Sequence, residues 1–310
     1  MSRGPSRRHE LAAWLVPRLG GPDDAGEDDE AVEAERVRRC HAEQRPTLPT
    51  RATPGLSRRF RVAEERVDAP GGRFCSWVLT PCWTTPVRTL YYLHGGGFVS
   101  PLDALHVRYA TTLARSLDAR VVLPEYPLAP EHHWRDSHDA LADDVVRYAR
   151  RGPVALAGDS AGGNLALAVA QTLRDRGGSQ PHRLLLLSPW VDLSESTPAT
   201  AGLADTDPWL HLPALRRYAG WWAGSTDPDA LARPEVSPAL GDLDDLPPAL
   251  MFCGTRDLLQ PGCRMLADEA EQSTWSLTYV EERGLVHVYP LLPGVPEARA
   301  ARRRAIAFLR

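Results

Sequence analysis

From Phe60 onward the chain switches repeatedly between two spacings of apolar residues. "RFRVAEERV" and "GRFCSWVLT" alternate apolar and polar positions, the period of a strand with one face on a core. They predict two half-buried antiparallel strands. Six further runs, "VRTLYYL", "ARVVLPEY", "GPVALAG", "RLLLLS", "PALMFCG" and "WSLTYV", are short and mostly continuous in apolar residues. Such runs suit parallel strands covered on both faces. Between them, residues 103–117, 136–150, 161–176, 262–272 and 297–310 read as helices. Strand and helix in alternation over most of a chain predict an α/β fold: an open, mainly parallel central sheet flanked by helices.

The alternation breaks once, after the sixth strand. Residues 190–247 are rich in Pro and Asp, hold one helical piece, "LPALRRYAGWWAG", and are too long for a plain loop. Insertions at the carboxyl ends of parallel strands sit above the ligand crevice, so this stretch reads as a cap. The first 55 residues also stand apart, with the acidic run "PDDAGEDDEAVEAERVRRC" and then the link "RPTLPTRATPG". Negative charge in a first turn suits the helix dipole, and the acidic run predicts the start of a solvated helix. The layout expected is a cap segment over 1–55 and a catalytic domain over 56–310, with a cap insertion at 190–247.

Composition narrows the class. The 310 residues are 43% hydrophobic and 25% charged, with a net charge of −4. That is ordinary for a globular chain with a proper core, and it gives no reason to expect a nucleic-acid partner or an anionic membrane surface. Five cysteines without CxxC spacing argue against a disulfide framework or a zinc site and fit a reducing cytoplasm. Near the start, "SRRHELAAWLVPRLGG" sets arginines before an apolar stretch. Residues 11–16 are too few for a signal-peptide core and suit a surface or lid helix. No run reaches transmembrane length. The expectation is a soluble cytoplasmic protein, a monomer or homodimer.

The chemistry centres on "LAGDSAGGN". Gly158-Asp159-Ser160-Ala161-Gly162 falls between a predicted strand and a predicted helix. A serine on so sharp a turn needs small neighbours, and the geometry lifts its hydroxyl off the sheet. Its activation needs a base. Of the ten histidines, His182, His211 and His287 follow Ser160. His182 opens a strand at the wrong end of the sheet and His211 lies inside the insertion, whereas His287 follows the last strand. Asp257 sits just past the penultimate one. Singly, each has a plainer reading: a turn serine, a helix cap, a loop histidine. The order Ser, acid, His with each at a strand end favours a triad of Ser160, Asp257 and His287.

"LYYLHGGGFVSP" adds a fourth part. Successive glycines allow close backbone approach, so the amides of Gly96 and Gly97, with that of Ala161, are the candidate oxyanion donors. A phosphate loop would need a following Lys-Ser/Thr or GxGxxG, and neither occurs. His94 reads as a structural residue holding the loop. Phe98, Asp159, Trp190, Trp221 and Trp222 are candidate substrate contacts, although the two adjacent tryptophans read first as packing of a cap helix.

HGGG ahead of GDSAGG, with "EYPLAPEHHWRDSHDALADD" between them, resembles the hormone-sensitive-lipase branch of the α/β-hydrolases, the bacterial esterase group. The resemblance extends from about Tyr91 to the C-terminus. It implies a capped α/β-hydrolase fold, no cofactor and no metal, and hydrolysis of small-molecule carboxylic esters through an acyl-enzyme. It places nucleophile, acid and base at Ser160, Asp257 and His287, with the oxyanion amides at Gly96, Gly97 and Ala161. The chain departs from the family's usual Asp-Tyr at Glu125-Tyr126, from Pro-Phe-Pro at His133-Trp134-Arg135, and from an acid shortly after the catalytic one in "LLQPGCR". None of these touches the triad. Aromatic residues around the cap favour short-acyl or cyclic esters over long fatty chains. Other acyl chemistry on the same residues (acyl transfer, amide hydrolysis or deacetylation, a secondary-metabolism tailoring step) and a non-catalytic ligand receptor are the alternatives.

Overall fold

The computed structural model describes residues 4–19, 29–44 and 47–310. Helices α1 (Arg7–Leu19) and α2 (Glu30–Glu43) precede the sheet, and a short turn, α3 (Leu56–Arg59), leads into it. The strands are β1 (Phe60–Val67), β2 (Phe74–Pro81), β3 (Thr89–Leu93), β4 (Arg120–Pro124), β5 (Val154–Asp159), β6 (Arg183–Leu187), β7 (Ala249–Arg256) and β8 (Leu277–Val286). They form one sheet in the order β1-β2-β4-β3-β5-β6-β7-β8. β1 and β2 run antiparallel to their neighbours, and β4 to β8 pair in parallel.

Each continuous apolar run is sorted by strand period into two cores. Tyr91, Leu156, Leu184, Leu186 and Met251 face one side, packed under α5 (His138–Ala149), α6 (Ala161–Asp175) and α9 (Gln260–Ala270). Leu90, Tyr92, Ala155, Leu185 and Phe252 face the other, under α4 (Ala104–Leu117) and α10 (Pro296–Leu309). β1 departs from the half-buried pattern its alternation predicts. Only Phe60 at its start is buried, because β1 is an edge strand and the rest carries solvated charge such as Glu64 and Arg66.

The segment between β6 and β7 carries α7 (Leu212–Ala223) and the short α8 (Pro228–Leu231). α2 lies across it. Asp29 caps α2 by accepting from the amides of Ala31 and Val32. Residues 20–28 of the acidic stretch lie outside the described residues. The expectation of a solvated helix needs correction, since α2 buries Glu33, Ala34 and Val37. Tyr218 of α7 donates to Glu33, and Trp221 Nε1 donates to Glu30 at 2.9 Å. At its far end His41 Nε2 bonds the carbonyl of Val99, in the loop after β3, at 2.6 Å. Among the described residues no helix is long and apolar enough to cross a membrane.

A buried charge cluster fixes that loop to the sheet. Asp159, the last residue of β5, is 2% exposed. Its Oδ1 accepts from Tyr92 Oη at 2.7 Å and from the Gly95 amide at 3.1 Å. His106 of α4 sets Nε2 3.3 Å from Asp159 Oδ2 and Nδ1 3.2 Å from Asp103 Oδ1. Burial alone would favour a neutral ring, but the Asp159 charge and the bonds to both carboxylates win, raising the His106 pKa to about 10. His94 goes the other way. Burial, then the charge of His106, push it down to about 4, so a neutral ring bonds the Gly95 carbonyl through Nδ1 at 2.8 Å.

The elevated His106 value fixes a sign. The stability it contributes is fully present below pH 6.5 and is lost as pH rises through about 10. Chemical denaturation of wild type and His106→Gln should therefore show a stability difference that shrinks steadily between those two pH values. A difference independent of pH in that window would contradict a charged ring.

Candidate active site

β5 ends at Asp159 and α6 begins at Ala161, so Ser160 alone makes the turn between them. It has φ +51° and ψ −123°, a conformation an L-residue adopts only under constraint. The constraint is visible. The Ser160 amide donates to the Leu187 carbonyl at 2.9 Å, and its own carbonyl accepts from Gly163 and Trp190 at 3.0 Å each. The glycines of the motif follow from crowding. A Cβ on Gly158 would stand 2.2 Å from the Gly162 carbonyl oxygen, and one on Gly162 2.2 Å from that of Leu93. No side chain fits at either position.

Asp257 follows β7 and is fully buried. It accepts the Leu259 amide at 3.0 Å. His287 follows β8, is 4% exposed, and sets Nδ1 3.0 Å from each carboxylate oxygen of Asp257. A proton on Nδ1 shared with that carboxylate leaves Nε2 with a free lone pair. Burial pulls the His287 pKa down, but the charge and hydrogen bond of Asp257, then Asp207 and Asp159, carry it above its ordinary value.

Ser188, just past the end of β6, ties the turn of the serine to the segment after β8 that carries the imidazole. It follows Leu187, whose carbonyl holds Ser160, and its Oγ accepts the Val288 amide at 3.0 Å. Ser160 Oγ makes no hydrogen bond to His287 Nε2 in this structure. A nucleophile–base contact often tightens only around the reacting group.

Gly96 and Gly97 adopt φ +111° and +61° in the loop after β3. A Cβ on Gly96 would meet Ser100 at 2.7 Å. Their amides and that of Ala161, the first of α6, donate to no protein acceptor among the described residues. Three unpaired amides at adjacent strand ends are what an anionic oxygen requires.

The five expected substrate contacts divide differently. Asp159 is buried and bonded to Tyr92, Gly95 and His106. Phe98 and Trp222 are fully buried and stacked, centroids 4.3 Å apart and planes 4° from parallel. They join the glycine loop to α7 as packing, not as walls. Trp221 turns to Glu30 of α2. Trp190 lines a small pocket with Leu212, Leu215, Leu258 and Leu259, beside the Asp257 turn.

Sequence reasoning missed Ser188, His106 and Tyr92, and it missed the roles of Asp207 and Trp209. The Trp209 ring stands edge-on to His287 at 5.8 Å. Asp207, two residues before it and followed by Pro208, is the one with a local signal, since Asp-Pro often starts a turn.

Comparison with known proteins gives the family. Residues 90–291 match the sequence model of a family described as alpha/beta hydrolase fold. An acetyl-hydrolase of Streptomyces hygroscopicus is 34% identical over 241 residues, 74% of this chain and 78% of that protein. Esterase LipI of Mycobacterium tuberculosis is 31% identical over 295 residues, 91% of this chain and 89% of its own. Among solved structures, a putative esterase from Staphylococcus aureus superposes with TM-score 0.81 over 94% of this chain and 97% of its own; at 22% identity it speaks to the fold alone. The hyperthermophilic esterase of Pyrobaculum calidifontis gives TM-score 0.78 at 25% identity, over 99% and 98%. The chain belongs to the alpha/beta hydrolase fold family, in the hormone-sensitive-lipase-like esterase branch that its HGGG and GDSAGG motifs resemble.

Proposed function

We propose that the protein is a serine carboxylesterase that hydrolyses short-acyl or cyclic esters through Ser160, His287 and Asp257. One observation carries the reading: a buried Asp257–His287 pair and a serine held at positive φ stand at the carboxyl ends of parallel strands of one sheet, with three unpaired amides at the same edge. The esterase and acetyl-hydrolase names of the relatives support the same bond class.

In this reading His287 Nε2 takes the Ser160 hydroxyl proton as Oγ bonds the ester carbonyl carbon. The carbonyl π electrons move to oxygen, and the amides of Gly96, Gly97 and Ala161 hold that charge; each such donor is worth about 10²–10³ in rate. Collapse breaks the C–O bond to the alcohol, which takes the proton from His287. Water then attacks the acyl-enzyme, giving its proton to His287, and the acid leaves with Ser160 restored. Asp257 keeps the ring in the required tautomer and faces the imidazolium while it exists.

We place the cap in α2 together with residues 190–247, over the carboxyl ends of β3 and β5 to β8. What supports a small acyl group is the smallness of the pocket beside the Asp257 turn, lined by Trp190, Leu212, Leu215, Leu258 and Leu259.

A fluorophosphonate should add once per chain by intact mass, and Ser160→Ala should abolish both labelling and ester turnover. Labelling that persists in the variant would place the nucleophile elsewhere. Asp257→Asn should keep the fold and lower kcat on the order of 10⁴-fold by favouring the wrong tautomer. Across p-nitrophenyl esters, kcat/KM should be highest for acetyl to butyryl and fall for long chains. A maximum at a long fatty chain would reject the small-acyl assignment.

A further inference from the structure

The reaction above leaves one carboxylate beside the Asp257–His287 pair without a part. Asp207 comes from the segment between β6 and β7 and is 8% exposed. Its Oδ1 accepts the amides of Trp209 at 2.7 Å and Leu210 at 3.0 Å, closing an Asx turn. Its Oδ2 reaches out of that turn and accepts the Leu258 amide at 2.7 Å. Leu258 follows Asp257 directly, and the next amide, of Leu259, belongs to Asp257 itself. Two successive amides of one turn are thus shared between carboxylates from two distant segments. The same Asx turn sets the Trp209 ring edge-on to His287, planes 83° apart.

Two buried carboxylates this close repel. Burial, then the charge of Asp257, push the Asp207 pKa up, while His287 and the amides of Leu258 and Leu210 pull it back. An acid placed there gains most when the imidazole between the segments is positive, which is the state formed during acyl transfer. Three carboxylates act on that ring: Asp257 after β7, Asp207 from the insertion and Asp159 at the end of β5.

We propose that Asp207 is a positioning residue for the base: it locks the segment between β6 and β7 to the Asp257 turn, holds Trp209 against the imidazole, and sets a second negative charge beside the imidazolium. The proposal rests on the Ser160–His287–Asp257 reading. It links an element of the cap to the ionisation of the base, so that cap and triad are one electrostatic unit.

The test is the pH profile of kcat and kcat/KM for p-nitrophenyl acetate in wild type, Asp207→Asn and Asp207→Ser. Asn can keep the bonds to Trp209 and Leu210 but turns an N–H towards that of Leu258. Ser also keeps the turn and is too short to reach Leu258, so it reads the same effect if the Asn variant folds poorly. Near-UV circular dichroism identifies folded protein. In folded variants kcat should fall roughly ten- to a hundredfold with KM little changed. The acid limb should also move to lower pH, because a ring without this neighbouring charge loses its proton more readily. A merely structural role would leave the limb in place. Ser160-dependent turnover with an unmoved limb in either folded variant overturns this proposal alone. Absence of Ser160-dependent turnover in wild type overturns the underlying reading, and this one with it.

Discussion

The first turn of α6 rests on bare backbone, and the geometry of the site depends on that contact. Gly162 lies where any Cβ would be 2.2 Å from the Leu93 carbonyl oxygen and 2.4 Å from that of His94. The helix therefore approaches the ends of β3 and β5 as closely as main chains allow. That approach forces the turn at Ser160 into positive φ. It also puts the Ala161 amide beside the loop of Gly96 and Gly97. A larger residue at position 162 would push apart the serine and every amide aimed past it.

Adjacent residues in that turn do opposite work. Ser160 points off the sheet with its hydroxyl unpaired, and Asp159 points into it with both oxygens taken. The inward carboxylate carries a net cost unless its charge is met, and His106 meets it from α4. The glycine loop is thereby anchored to a charged pair rather than left to its own weak preferences. Tyr126 completes the anchoring, donating to the His94 carbonyl at 2.7 Å and stacking on the His94 ring at 4.4 Å.

The sheet was legible because buried parallel strands must be continuous in apolar residues, and each such run became a strand within a few residues. The residues proposed as a triad could be picked out because each stands at a strand end, and strand ends can be counted. Orientation inside a helix could not be read in the same way. "GWWAG" does not say that Trp222 faces Phe98 in the core while Trp221 faces Glu30, since that depends on how α7 lies against α2. Asp207 signalled a turn but not its partner, for a related reason: Leu258 is 51 positions away. β1 misled because alternation reports two unlike faces and says nothing about whether a neighbour covers one of them.

The ties of the first two helices bear on how the chain assembles as it is made. Ser6 bonds Glu297 across 291 positions, and Trp221 bonds Glu30 across 191. Synthesis proceeds from the N-terminus, so these helices emerge before the sheet and find no docking surface until it has been made. Contacts of such long range are costly to close early. β3, β4 and β5 can meanwhile pair among themselves, with their connecting helices to cover them. The turn bearing Ser160 is thus framed by its local partners before α1 and α2 dock, and a segment made before the sheet is among the last to come to rest.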